Sequence, residues 1–208
     1  MPRTSGAELK DEGNLAITYV GMGRYEEAEQ LLTNSLQDID GIELRARRAY
    51  RRHLGEIYRE QGKYAAAEDA LLETLNSCRQ LPGKDHPFTL RHVNGLGVLR
   101  TQQGQYEEAK TLSSRAAGGR KTKLGPDHPH TLETVHELGM LYVAKEDHEK
   151  AEPLLTDAFH GREAKLGPEH PHTIESLREL LRLYEAWPKP DEAAKWRAKL
   201  GEMKPTAE

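Results

Sequence analysis

An all-α solenoid of about five stacked helix–turn–helix hairpins is the fold class that three features of the sequence predict. The first is a long internal copy. The stretch KLGPDHPHTLETVHELGMLY, Lys123 to Tyr142, returns as KLGPEHPHTIESLRELLRLY, Lys165 to Tyr184, 42 positions later. The second is that this step runs along the chain: Tyr25, Tyr64, Tyr106, His148 and Pro190 follow one another at 39, 42, 42 and 42 residues. Leu15, Leu54, Leu96, Leu138 and Leu180 keep the same step, as do Ala28, Ala67, Ala109, Ala151 and Ala193. A fixed step of roughly 20 to 50 residues is the mark of a repeat array. The third is composition: 31% charged against 36% hydrophobic residues suits narrow apolar seams between small helices better than one thick core.

Within a unit the apolar spacing is helical. In the fourth copy Leu132, Val135, Leu138, Gly139 and Tyr142 form one stripe of a first helix. After a polar turn, Ala151, Leu154, Leu155 and Ala158 form the stripe of a second. Small residues at Ala16, Gly55, Gly97 and Gly139 face small residues at Ala28, Ala67, Ala109 and Ala151, which lets the paired axes approach to about 8–10 Å. The predicted organisation is a tail over 1–9, one array over 10–203 and a tail over 204–208. The repeats fall at approximately 10–47, 48–89, 90–131, 132–173 and 174–203. The last is atypical, with Leu181 at the small position and Trp187-Pro188-Lys189-Pro190 at the turn, as expected of a unit that must finish its own outer face. Gly118-Gly119, in the middle of a second helix, is expected to mark a bend.

The set Leu54-Gly55, Tyr58, Gly62, Tyr64 and Ala67 resembles the tetratricopeptide repeat. The common unit of that family is about 34 residues. The longer step and the Leu-Gly-Pro-Asp-His-Pro-x-Thr loop look like the variety found in kinesin light chains and many bacterial regulatory proteins. The resemblance spans roughly residues 10 to 201. It implies a right-handed superhelix whose first helices line a concave groove for a peptide or protein partner, with no catalysis and no cofactor. By position the groove takes Asn14 and Ile17 from the first copy, and Arg52, His53, Glu56 and Arg59 from the second. The third gives Asn94, Val98 and Thr101, the fourth His136, Glu137 and Met140, and the last Arg178 and Arg182. Asparagines before the Leu-Ala/Gly pair often hold a guest backbone in relatives; here Asn14 and Asn94 stand there, one residue apart in register.

Composition narrows the function classes. Thirty Lys and Arg against 34 acids leave a net charge of -4, which makes no general case for nucleic acid or membrane. Cys78 is the single cysteine, so neither a disulfide framework nor a thiolate zinc cage can form. The start, MPRTSGAELKDEGN, has no apolar run of a signal peptide, and no segment reaches the roughly 18 apolar residues of a membrane span. A cytoplasmic setting is the expectation.

The histidines flanking each proline pose the sharpest choice. His128, His130, His170 and His172 could suggest a metal site, but nitrogens on one zinc sit about 2.0–2.1 Å from it. Equivalent atoms of adjacent hairpins should lie about one helix spacing apart. The loop is instead a helix-starting device: proline suits the first helical position, while the preceding polar residue and the following threonine can cap free amides. Glu26/Glu27 and Glu107/Glu108 sit at second-helix starts, where they favour the positive pole of the dipole. No nucleophile elbow, phosphate loop or HExxH motif accompanies Ser113 and Ser114.

The basic run LRARRAYRRHL, Leu44 to Leu54, reads either as a solvated helix paired with Glu56 and Glu60 or as a wall of Arg45, Arg48 and Arg52 for an acidic peptide. The sequence therefore predicts a non-enzymatic scaffold for a partner peptide, one of acidic character being a candidate. Its rival is a regulatory or docking tail of a bacterial signalling system such as a Ser/Thr kinase, since LYEAWPKPDEAAKWRAKL looks similar to the ends of such tails. Metal-dependent catalysis through loop histidines and RNA binding through Arg45 to Arg52 are lesser alternatives.

Overall fold

The computed structural model describes residues 6–37, 44–78 and 85–203, with side chains from residue 12 onward and, in the second stretch, from residue 46. Among them are ten helices that pair as five hairpins. They are α1 (Gly6–Gly21) with α2 (Tyr25–Gln37), α3 (Leu44–Glu60) with α4 (Tyr64–Ser77), and α5 (Pro87–Gln102) with α6 (Tyr106–Leu124). α7 (Pro129–Ala144) with α8 (His148–Leu166) and α9 (Pro171–Ala186) with α10 (Pro190–Glu202) complete the set. The fold is an all-α helical repeat solenoid. Its contacts divide it into two compact units, residues 1–84 with α1 to α4 and residues 85–208 with α5 to α10.

The repeated small residues do the packing that their spacing implies. A Cβ added at Gly139 would lie 2.8 Å from a methyl of Leu155, and one at Gly97 only 2.3 Å from the Ser113 hydroxyl. Larger residues there would push the paired helices apart. Ala28, Ala67, Ala109 and Ala151 are fully buried on the facing helices. Gly118-Gly119 does not interrupt α6, which continues through it from Tyr106 to Leu124. Gly119 instead gives room to Leu90, since an added Cβ would fall 2.6 Å from that side chain. Gly161 does the same for Leu132 one repeat later, at 2.4 Å.

In the first four hairpins the turn takes a left-handed residue. Gly23, Gly62 and Gly104 supply it with φ between 72° and 74°. Glu146 occupies the same register in the fourth hairpin at φ 58°, among the described residues the one non-glycine with positive φ. A side chain in that region costs roughly 1 kcal/mol or more. Glu146→Gly is therefore expected to raise the unfolding free energy by about 1 kcal/mol, measured by urea denaturation. A loss of stability would show that the Glu146 side chain contributes more than its backbone strain costs.

The end of the second unit follows the expectation for a terminal repeat. Trp196 of α10 packs edge-on against Phe159 at 5.2 Å and stacks on Tyr184 at 6.5 Å. Leu181 and Leu200 join the same core, which includes Leu155, Leu177, Leu180 and Leu183. Neither tryptophan needs a ligand to explain it: Trp187 lies under the ammonium of Lys189, 3.2 Å from the ring centroid, and beside His148.

Candidate peptide-binding surface

The copied loop starts helices. His86, His128 and His170 each adopt an extended backbone with proline next, and each Nδ1 accepts from the N–H two residues on, at 3.2 Å in all three. The accepting Nδ1 fixes the tautomer with hydrogen on Nε2. The threonine that follows does not cap, contrary to expectation. The hydroxyls of Thr89, Thr131 and Thr173 are buried without a partner among the described residues. The imidazole serves the helix-start amide in their place.

Two arginines that sequence reasoning missed hold successive hairpins together. Arg120, on α6, is 1% exposed. Its Nη1 donates to the carbonyl of His130 at 2.6 Å, to the Thr134 hydroxyl and to Glu133 at 3.3 Å, all on α7. Arg162, on α8, repeats the arrangement on α9: the His172 carbonyl at 3.0 Å, the Ser176 hydroxyl at 2.7 Å and Glu175 at 3.4 Å. Burial pushes both guanidinium pKa values down, and the facing glutamates oppose that shift. For Glu133 burial works upward, but the His130 hydrogen bond and the charges of Arg120 and Arg91 outweigh it and bring the carboxyl to about 2. A signal was present, since Arg120/Arg162, Glu133/Glu175 and Thr134/Ser176 all keep the step of 42.

In each unit, first helices of adjacent hairpins meet directly, α1 with α3 and α5 with α7. Most side chains assigned to the groove are open to solvent in whole or in part. In the first unit Asn14 and Ile17 are exposed, and Arg52, His53, Glu56 and Arg59 are half-buried. Arg52 pairs with Glu56 at 2.8 Å and lies 2.5 Å from His53 Nε2, and His53 Nδ1 is 3.3 Å from Glu56. Arg59 pairs with Glu60 at 2.6 Å.

In the second unit Val98, Thr101, Glu137 and Met140 are half-buried, and Arg178 and Arg182 are exposed. Asn94 and His136, one repeat apart, depart from an open-groove placement: they are 6% and 4% exposed. The Asn94 Oδ1 has no hydrogen-bond partner among the described residues. His136 Nδ1 lies 3.4 Å from the Ser176 hydroxyl that Arg162 also contacts. Burial, then the Arg162 charge, lowers its pKa to about 4; Glu175 acts against that and His172 adds to it.

The basic wall on α3 does not form. Arg48 turns inward, donating through Nε to the Ser77 hydroxyl at 3.0 Å and through Nη2 to the Ser77 carbonyl. Arg51 pairs with Glu73 at 2.9 Å. Arg45 lies outside the described side chains. The solvated, acid-paired reading of this helix describes Arg51 and Arg52, whereas Arg48 is structural.

Two overlapping matches to a tetratricopeptide-repeat model cover residues 45–122 and 92–164, and a second such model matches 13–38. The chain belongs to the tetratricopeptide repeat family. Its hairpins share their fold with solved structures of kinesin-light-chain-like repeats. They are similar to those of a Podosopora anserina kinesin-light-chain candidate with nearly identical repeats, at 24% identity over 97% of this chain and 96% of that one, with a TM-score of 0.69. They are also similar to BtubC (BKLC) of P. vanneervenii, at 18% identity over 98% and 85% of the two chains and a TM-score of 0.72. MamA of Desulfovibrio magneticus RS-1 is more distant, at 17% identity over 94% of each chain and a TM-score of 0.56. Among curated proteins none matches significantly. Tetratricopeptide repeats commonly mediate protein–protein interaction and are generally non-catalytic scaffolds. Among the described residues no helix is long and apolar enough to cross a membrane.

Proposed function

We propose that this protein is a non-enzymatic scaffold that holds a partner peptide along the surface made by its first helices. The observation that carries the reading is the direct packing of α1 on α3 and of α5 on α7. Side chains at one register of successive hairpins then share one face. In the second unit the residues assigned to it are Val98 and Thr101 on α5, Met140 on α7, and Arg178 and Arg182 on α9, apolar side chains followed by cations. Such a sequence of contacts suits a segment with an apolar anchor and an acidic neighbour. The rigid hairpins lower the ordering cost on the protein side of the encounter.

Selection of peptides from a displayed library against the intact protein tests this. The best peptide should bind Met140→Glu and Arg182→Glu about tenfold more weakly, a difference of about 1.4 kcal/mol. Lys110→Glu and Glu149→Lys, both exposed on second helices, should leave its affinity unchanged. Equal losses from both pairs, or no selected peptide, would reject the surface.

A further inference from the structure

We infer that this protein opens in two stages, residues 1–84 losing their structure while residues 85–208 stay folded. The starting observation is a change in the residues that make the arginine clasp. Arg120 ties α6 to α7 and Arg162 ties α8 to α9, each through a carbonyl, a carboxylate and a hydroxyl. Forty-two positions before Arg120 stands Cys78, the residue that caps the end of α4. A thiol is one weak donor, whereas a guanidinium presents several in a planar fork. The acceptor side changes with it. Glu133 and Glu175 correspond to Arg91, a cation where the clasp uses a carboxylate. Thr134 and Ser176 correspond to His92, and the carbonyls of His130 and His172 to that of Phe88. In α5 that carbonyl already accepts from His92 Nδ1, at 2.8 Å within its own helix. The chain divides at this same step, between Lys84 and Asp85.

Each unit has its own means of joining hairpins. On α3 the register of Thr134 and Ser176 is held by Tyr50, whose hydroxyl donates to the Glu12 carboxylate of α1 at 3.4 Å. The same carboxylate accepts from the Ser35 hydroxyl of α2 at 2.7 Å. Lys63, at the turn of the second hairpin, pairs with Glu29 of α2 at 2.8 Å. These ties make residues 1–84 one body without an arginine clasp. In residues 85–208 the two clasps are joined by the pair of Lys145 with Glu107, at 2.6 Å. The order of opening follows from size. Residues 1–84 hold two hairpins and residues 85–208 three, and a smaller body buries a smaller fraction of its surface. The face made by α5, α7 and α9 therefore survives the opening of α1 to α4.

The chain carries a separate probe in each unit. Both tryptophans, Trp187 and Trp196, lie in residues 85–208, and the single cysteine, Cys78, lies in residues 1–84 and is 3% exposed. Urea unfolding of the full chain is followed by tryptophan fluorescence and by pulse labelling of the Cys78 thiol. Labelling should reach its midpoint at roughly 1 M urea or more below fluorescence, because a two-state chain would give coincident curves. Arg162→Met should lower the fluorescence midpoint and leave the labelling midpoint where it is. Cys78→Arg combined with Arg91→Glu and His92→Thr supplies the donor, carboxylate and hydroxyl of a clasp. Far-UV circular dichroism, expected to fall in two steps for the unsubstituted chain, should then fall in one. Coincident midpoints for the two probes, an Arg162→Met shift shared by both, or two steps that persist in the triple variant would each overturn the inference.

Discussion

Arg162→Met is expected to cost the second unit about 3 kcal/mol of stability. The substitution keeps the aliphatic bulk but removes the guanidinium donor from the His172 carbonyl and from the Ser176 hydroxyl, which keeps only its 3.4 Å contact with His136 Nδ1. An unpaired buried polar group costs about 1–3 kcal/mol. Relief of the buried charge works the other way, and its presence is visible in the downward shift of the arginine pKa. The balance still favours loss, because Glu175 is half open to water and is not stranded with the other two groups. Arg162→Lys should recover little, since a single ammonium cannot reproduce the planar fork that reaches carbonyl, hydroxyl and carboxylate together. Urea unfolding measures the change. A cost below about 1 kcal/mol would mean that the stranded groups find new partners.

Stability of the second unit should also fall on acidification, through His136. Its folded pKa of about 4 lies below the 6.5 of an exposed imidazole, so the unfolded chain binds the proton first. Stability is therefore full above pH 6.5, declines as pH falls toward about 4, and changes no further from this group below that. A shift of this size corresponds to about 3 kcal/mol. The geometry supports the sign. Nδ1 faces the Ser176 hydroxyl, and the Arg162 guanidinium already contacts that hydroxyl. Glu133, brought to about 2, loses its contribution in a separate and lower window, as pH falls from 4.5 through that value. His136→Asn, which installs the residue that the preceding hairpin carries as Asn94, should flatten the curve between pH 4 and 6.5. An unchanged slope would assign the acid sensitivity elsewhere.

The hairpins were legible because their spacing reports packing directly. Leu54, Gly55 and Ala67 recur wherever two helices must approach closely, and a small residue kept at a fixed step marks where their backbones come nearest. The histidine caps were legible as helix starts, although it is the imidazole and not the threonine that binds the free amide. The buried arginines were not legible, and the reason is physical. Arg120 and Arg162 sit in polar runs, GGRKTK and HGREAK, and Arg48 in a basic one, where a cation normally faces water. Only the folded backbone places a free carbonyl and a hydroxyl within reach of the fork, and those acceptors make burial tolerable. The same limit applies at Asn94 and His136. A register on the first helix says which side a residue faces, not how far the neighbouring hairpin closes over it.

The two glycines of the copied loop have a further implication. Gly125 and Gly167 end α6 and α8 with nearly the same backbone, φ 94° and ψ 161° in one and φ 90° and ψ 163° in the other. L side chains rarely enter that region. The turn out of one module thus points the chain into the next along a repeated path, and each arginine clasp is completed within 14 positions. Splicing an additional copy of the module between those two glycines would offer each neighbour an equivalent partner in the copy. Growth by tandem copying is thereby open to this molecule, and length can change without rewriting what is already built.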